Sequence, residues 1–101
     1  MKTVYISHPF SGSPWKNRAE ARDVCARLKK EHPDWCIVNP LDAFQWLDFV
    51  KISYERALEM CIEILCRCDA IYMCRFWDDS KGCRAEYLAA KNKGLEVITC
   101  D

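Results

Sequence analysis

"AIYMCRFWDDSKGCRAEYLAAKNKGLEVITC", residues Ala70–Cys100, is the stretch that decides the fold. Its first part, Ala70–Phe76, is a largely apolar run of strand character. Ser80 then stands where a hydroxyl caps the first turn of a helix that reaches about Lys93. Gly94 falls where a helix C-terminus takes a left-handed residue. "LEVITC", Leu95–Cys100, reads as another strand. On the helix, Glu86 has Gly82 and Cys83 on one side and Ala89 and Ala90 on the other, with no long side chain three or four residues away to pair with it. Either the small residues allow close helix–sheet packing beside a surface carboxylate, or they leave a notch for a ligand.

Working outward, the same alternation repeats. Lys2–Ser7, "KTVYIS", is a β-rich opening run. Ser13-Pro14 has the order of an N-cap and first helical position. Ala21, Val24, Cys25 and Leu28 then recur at helical spacing, to about Lys30. "WCIVN", Trp35–Asn39, is a second strand. A longer helix is expected from about Ser53 to Cys68, with Asp69 ending it at the start of the third strand. Between them the Phe44–Phe49 aromatics follow no strand alternation and predict a short helix or ordered loop, an interface or a lid. The order β-α-β-α-β-α-β predicts one α/β domain over residues 1–101. It is a small, doubly wound (flavodoxin- or Rossmann-like) four-stranded parallel sheet with helices on both faces.

The 101 residues suffice for one core. Fifteen basic side chains balance fifteen acidic ones, so charge gives no support to binding of a nucleic-acid polymer or a membrane surface. No apolar run approaches the roughly 18 residues of a membrane span, and "MKTVYIS" has no signal-like apolar region. A cytoplasmic protein is expected. The eight cysteines include no C-x-x-C pair and read as reduced, mostly buried thiols, with no metal site and no cofactor.

In open parallel sheets, ligands bind beyond the carboxyl ends of the strands. Two loops reach that edge. After the first strand, Ser11, Gly12 and Ser13 precede a helix N-terminus, with Lys16 and Arg18 nearby, an arrangement that favours an anion. After the third strand come Trp77, either a core residue or a base-stacking wall, then Ser80, Gly82 and Glu86. No Walker A or dinucleotide-binding glycine pattern is present.

"VYISHPFSG" and "CDAIYMCRFWDDSKGCRAEYLAA" together resemble the nucleoside 2-deoxyribosyltransferase-like superfamily, most of all its short, uncharacterised bacterial and phage members. That pattern is a first strand ending Y-[IL]-[SA]-G-P, an Asp-led strand, and S-x-G-x-x-x-E-x-x-x-A. The resemblance implies that Glu86 is a nucleophile attacking C1′ of a nucleotide sugar, with Tyr5 close to it. It also implies a phosphate contact at Ser80 and substrate contacts from Ser7, His8 and Pro9 in the first motif. His8 departs from the pattern, standing where glycine is usual. Asp42, Asp78, Asp79 and His8 are the candidate general acids.

The expected activity is cleavage of the base–sugar bond of a nucleoside 5′-monophosphate, by hydrolysis or by transfer to another base. The expected partner is a small nucleotide or nucleoside, and the resemblance implies a homodimer or higher homo-oligomer. The alternatives are a non-catalytic nucleotide-binding or sensing module and, further off, a thiol redox protein.

Overall fold

A computed structural model describes residues 1–100. Its elements run β1 (Lys2–Ser7), α1 (Pro14–Glu31), β2 (Trp35–Val38), α2 (Pro40–Ala43), a 3-10 helix (Gln45–Phe49), α3 (Tyr54–Leu65), β3 (Ala70–Met73), a 3-10 turn (Trp77–Asp79), α4 (Lys81–Lys93) and β4 (Glu96–Thr99). Among the described residues the strands form one sheet in the order β2-β1-β3-β4. Every pairing is parallel, with Tyr5 beside Val38 and Ile71, and Tyr72 beside Ile98. The doubly wound α/β fold expected from the sequence is present, and the Phe44–Phe49 segment, expected as a short helix or ordered loop, is a turn at Phe44 and a 3-10 helix over Gln45–Phe49 that follow directly on α2.

The period-2 alternation of β1 sorts the core into two halves. Val4 and Ile6 face α1, packing with Leu28, Trp35, Ala70 and Tyr72. Tyr5 faces the other way, with Leu65, Ile71, Met73, Cys83 and Ala90. Helices therefore cover both faces. Strands β2 and β3 stop at Val38 and Met73, earlier than the apolar runs suggest. Pro40 starts a helix after the first of them, and Phe76 turns left-handed after the second.

At the lower edge Asp69 Oδ2 accepts from Thr3 N–H at 2.8 Å, tying β3 to β1. Gly94 ends α4 at φ 79°. No helix among the described residues is long and apolar enough to cross a membrane.

Strand order reverses at β1, whose neighbours are β2 on one side and β3 on the other. The crevice between the loops leaving β1 and β3 is therefore the switch point where open α/β sheets place ligands.

Candidate active site

Tyr5 and Ser7 lie two apart on β1 and project from the same face of the strand. Glu86, on the second turn of α4, meets both. Its Oε2 accepts from the Tyr5 hydroxyl, and its Oε1 accepts from Ser7 Oγ at 2.7 Å. The partners that its own helix lacks come from the sheet. Only 7% of Glu86 is exposed, and Tyr5 and Ser7 are fully buried. Each carboxylate oxygen keeps a second lone-pair direction free.

Burial raises the Glu86 carboxyl above its ordinary value, and the Tyr5 and Ser7 hydrogen bonds oppose that rise by favouring the charged form. Burial, then the Glu86 charge, pushes the Tyr5 phenol well above the usual tyrosine value, so Tyr5 stays a donor. Burial, again followed by Glu86, pushes the Cys61 thiol up to about 11. Cys83 is raised as well, chiefly by burial. All eight cysteines are free. Thiols held protonated beside a carboxylate are poor nucleophiles, which weighs against the redox alternative.

Glu86 borders a cavity of about 460 Å³ between the two loops, within the range of small-molecule sites. His8, Pro9 and Ser11 form one side, and Ser80 and Gly82 another. Two other grooves, of about 550 and 570 Å³, lie on the outer side of α3 and at the β2 edge. They are more open, and neither reaches Glu86.

His8 is held tightly at the cavity. Nδ1 donates to the Pro9 carbonyl at 2.7 Å, and Nε2 lies 3.4 Å from Glu20 Oε2. Ser80 Oγ caps α4, accepting from Cys83 N–H at 3.2 Å. Ser80→Ala is expected to cost about 1 kcal/mol of stability in urea denaturation, with Ser80→Thr retaining most of it.

The remaining candidates are placed elsewhere. Trp77 is not a wall of the cavity; it packs in the core, stacked on Tyr87 with ring centroids 4.7 Å apart. Lys16 points to solvent, 3.9 Å from Glu20 on its own helix. Arg18 is buried rather than solvated. It donates to Asp48 Oδ1 at 2.9 Å and lies 5.0 Å from the centre of the Phe10 ring, so it braces a cavity wall from behind. Gly12 adopts φ 93°, a turn conformation suited to glycine, outside the cavity lining. Ser13 makes no side-chain cap bond, although its carbonyl accepts from Asn17 N–H. Among the acid candidates, His8 and Asp79 border the cavity. Asp42 is paired with Arg22 at 3.0 Å.

The small-residue stripe on α4 also has a packing reason. A Cβ on Gly82 would lie 2.6 Å from the Tyr54 hydroxyl, so part of the notch beside Glu86 is filled by α3. Tyr54, Ala57, Leu58 and Cys61 on α3, with Phe10, Leu41, Phe76, Lys81 and Cys83, complete the lining and were missed from sequence. The helical spacing of Leu58 and Cys61 reads only as core, yet both line the cavity, and Cys61 packs against the core as well. Tyr54, immediately after a capping serine, gave no signal of its own.

A family model described as Domain of unknown function (DUF4406) matches residues 2–99. The chain belongs to this family. No curated protein matches this DUF4406 chain. Among solved structures it is similar to one described as "2-desoxiribosyltransferase from Leishmania mexicana", at 23% identity and a TM-score of 0.70. The match covers 98% of this chain and 63% of that one. The two share a fold, and this DUF4406 chain spans less than two thirds of that neighbour's length.

Proposed function

We propose that this DUF4406 protein is an N-glycosidase that cleaves the base–sugar bond of a nucleoside 5′-monophosphate, and that it is one of the short members of the nucleoside 2-deoxyribosyltransferase-like superfamily. The observation that carries the reading is Glu86: a buried carboxylate oriented by two hydroxyl donors at a ligand-sized cavity, at the sheet's switch point. One Glu86 oxygen forms a bond to C1′ as the C1′–N bond breaks. The bonding pair leaves with the base, which takes a proton from Asp79 or His8 at the rim. Water, or a second base in transfer, then displaces the carboxylate from C1′ and gives its own proton to the group that protonated the leaving base, which restores both residues. Poor hydration makes the buried carboxylate more reactive, while the two donors hold it in place and favour its charged form.

The phosphate is assigned to the rim formed by Ser11, Ser80 and Lys81, where the α4 N-terminus offers backbone N–H groups. The mechanism calls on no metal or organic cofactor. The test is release of free base, followed chromatographically, from a panel of nucleosides and 5′-monophosphates, with and without an acceptor base. Wild type is compared with Glu86→Gln. Binding without release by either protein would favour the sensing module instead.

Self-association belongs to the same proposal. Trp46, Phe49, Val50 and Ile52 are exposed large apolar side chains close together in the chain, and exposed apolar side chains suit an interaction site where they gather into one patch. Light scattering is expected to give a dimer or larger species that Phe49→Asp dissociates. A monomeric wild type would remove this part of the reading.

A further inference from the structure

We infer that Phe76 is the wall against which a planar aromatic base stacks, and so the residue that selects substrates carrying one; this rests on the glycosidase reading of Glu86. Among the described residues Phe76 is the only non-glycine residue with positive φ, at 65°. A bulky side chain is uncommon and strained in that conformation, and such strain gathers at functional sites. The kink has a specific consequence here. It lets Trp77, the next residue, turn inward onto Tyr87, while Phe76 stays 67% exposed and borders the cavity that holds Glu86. Of two adjacent aromatics, one completes the core and the other is spent on the ligand side.

Glycine at this position would adopt the same backbone without strain. An exposed phenylalanine costs both conformational strain and apolar hydration, and packing within the chain recovers little of either, since the residue stays 67% exposed. The Arg75 guanidinium lies over the ring, 5.4 Å from its centre. Tyr54 and Phe10 also border the cavity, so aromatic rings come to it from α3 and from both loops. A sugar phosphate has no π-system of its own to stack on them. A purine or pyrimidine ring has one, and stacking gains affinity for any base without hydrogen-bond readout.

The test is calorimetric titration in the Glu86→Gln background, which binds without turnover. The ligands are purine and pyrimidine nucleoside 5′-monophosphates and, lacking a base, ribose 5-phosphate and 2-deoxyribose 5-phosphate. Phe76→Gly is expected to weaken nucleotide binding roughly 10- to 100-fold, to leave sugar-phosphate binding unchanged, and to keep or raise the thermal midpoint as the strain is relieved. Phe76→Trp is expected to restore nucleotide affinity.

An unchanged nucleotide affinity in Phe76→Gly overturns the inference, as does an equal loss for the base-free ligands. Parent affinities no higher for nucleotides than for sugar phosphates also overturn it and leave the role of Glu86 standing. If wild type neither binds a nucleotide nor releases a base, the glycosidase reading fails, and the role of Phe76 with it.

Discussion

Glu86→Gln is expected to lower base release by on the order of 1,000-fold or more and, at neutral pH, to make the protein more stable. The loss of activity follows from chemistry. An amide cannot form the ester at C1′, while its shape preserves the packing of α4 on β1. The gain in stability follows from burial. Because the folded protein holds the Glu86 carboxyl above its ordinary value, the native state binds more protons than the unfolded state between those two values. Stability therefore falls as pH rises through that window, and above it the full cost of burying a carboxylate is present.

Gln carries no such cost, and the Tyr5 and Ser7 hydroxyls can each donate or accept, so both still find partners on an amide. Denaturation midpoints of the two proteins, compared from about pH 4 to pH 8, are expected to converge in acid and to separate toward neutrality, with Gln higher. Curves that stay parallel would mean that Glu86 is hydrated in solution, and the site as described would not exist. The rate should follow the opposite course in wild type. Release requires the carboxylate, so its acidic limb is expected above the ordinary glutamate value. Activity and stability at this residue pull against each other, as expected of a group placed for chemistry.

The elements whose signal is periodic were legible. Lys2–Ser7, the Ala21–Leu28 face and the Ala70–Thr99 unit all declare themselves by spacing, and Ser53, Ser80 and Gly94 mark their helix ends as expected. That Glu86 lacks a partner on its own helix was legible as well, and its partners come from β1. Its surroundings were only half right, since Gly82 also makes room for Tyr54. What was not legible depends on a single torsion or on distant chain. No residue-type rule places phenylalanine at positive φ, and that torsion decides whether Trp77 or Phe76 faces the cavity. Arg18 looked like an anion contact beside Ser11–Ser13, but its partner is Asp48, thirty residues on. The Gln45–Phe49 helix is 3-10, too short for a hydrophobic period to show.

Tyr5→Phe removes one hydroxyl and keeps the ring that packs against Leu65, Ile71 and Cys83. Hydrogen bonds to a charged group are worth about 1.5–3 kcal/mol, which corresponds to a fall of roughly 10- to 150-fold in rate. The fall is expected in kcat rather than KM, because in the proposed reaction the phenol orients Glu86 for attack. With one of the two opposing donors gone, burial acts on Glu86 with less resistance, so the carboxyl rises further and the acidic limb of the rate profile moves to higher pH. A role confined to packing would leave that limb where it is, which makes the pH profile the deciding measurement.

The coupling can also be read without turnover. At neutral pH Tyr5→Phe should destabilise wild type, where it strands a buried charge, more than it destabilises Glu86→Gln, where it strands only an amide. The difference between the two costs measures the Tyr5–Glu86 interaction. Equal costs in the two backgrounds, together with an unmoved pH limb, would show that the bond to Tyr5 does not support the charge on Glu86, and orientation of the nucleophile would rest on Ser7 alone.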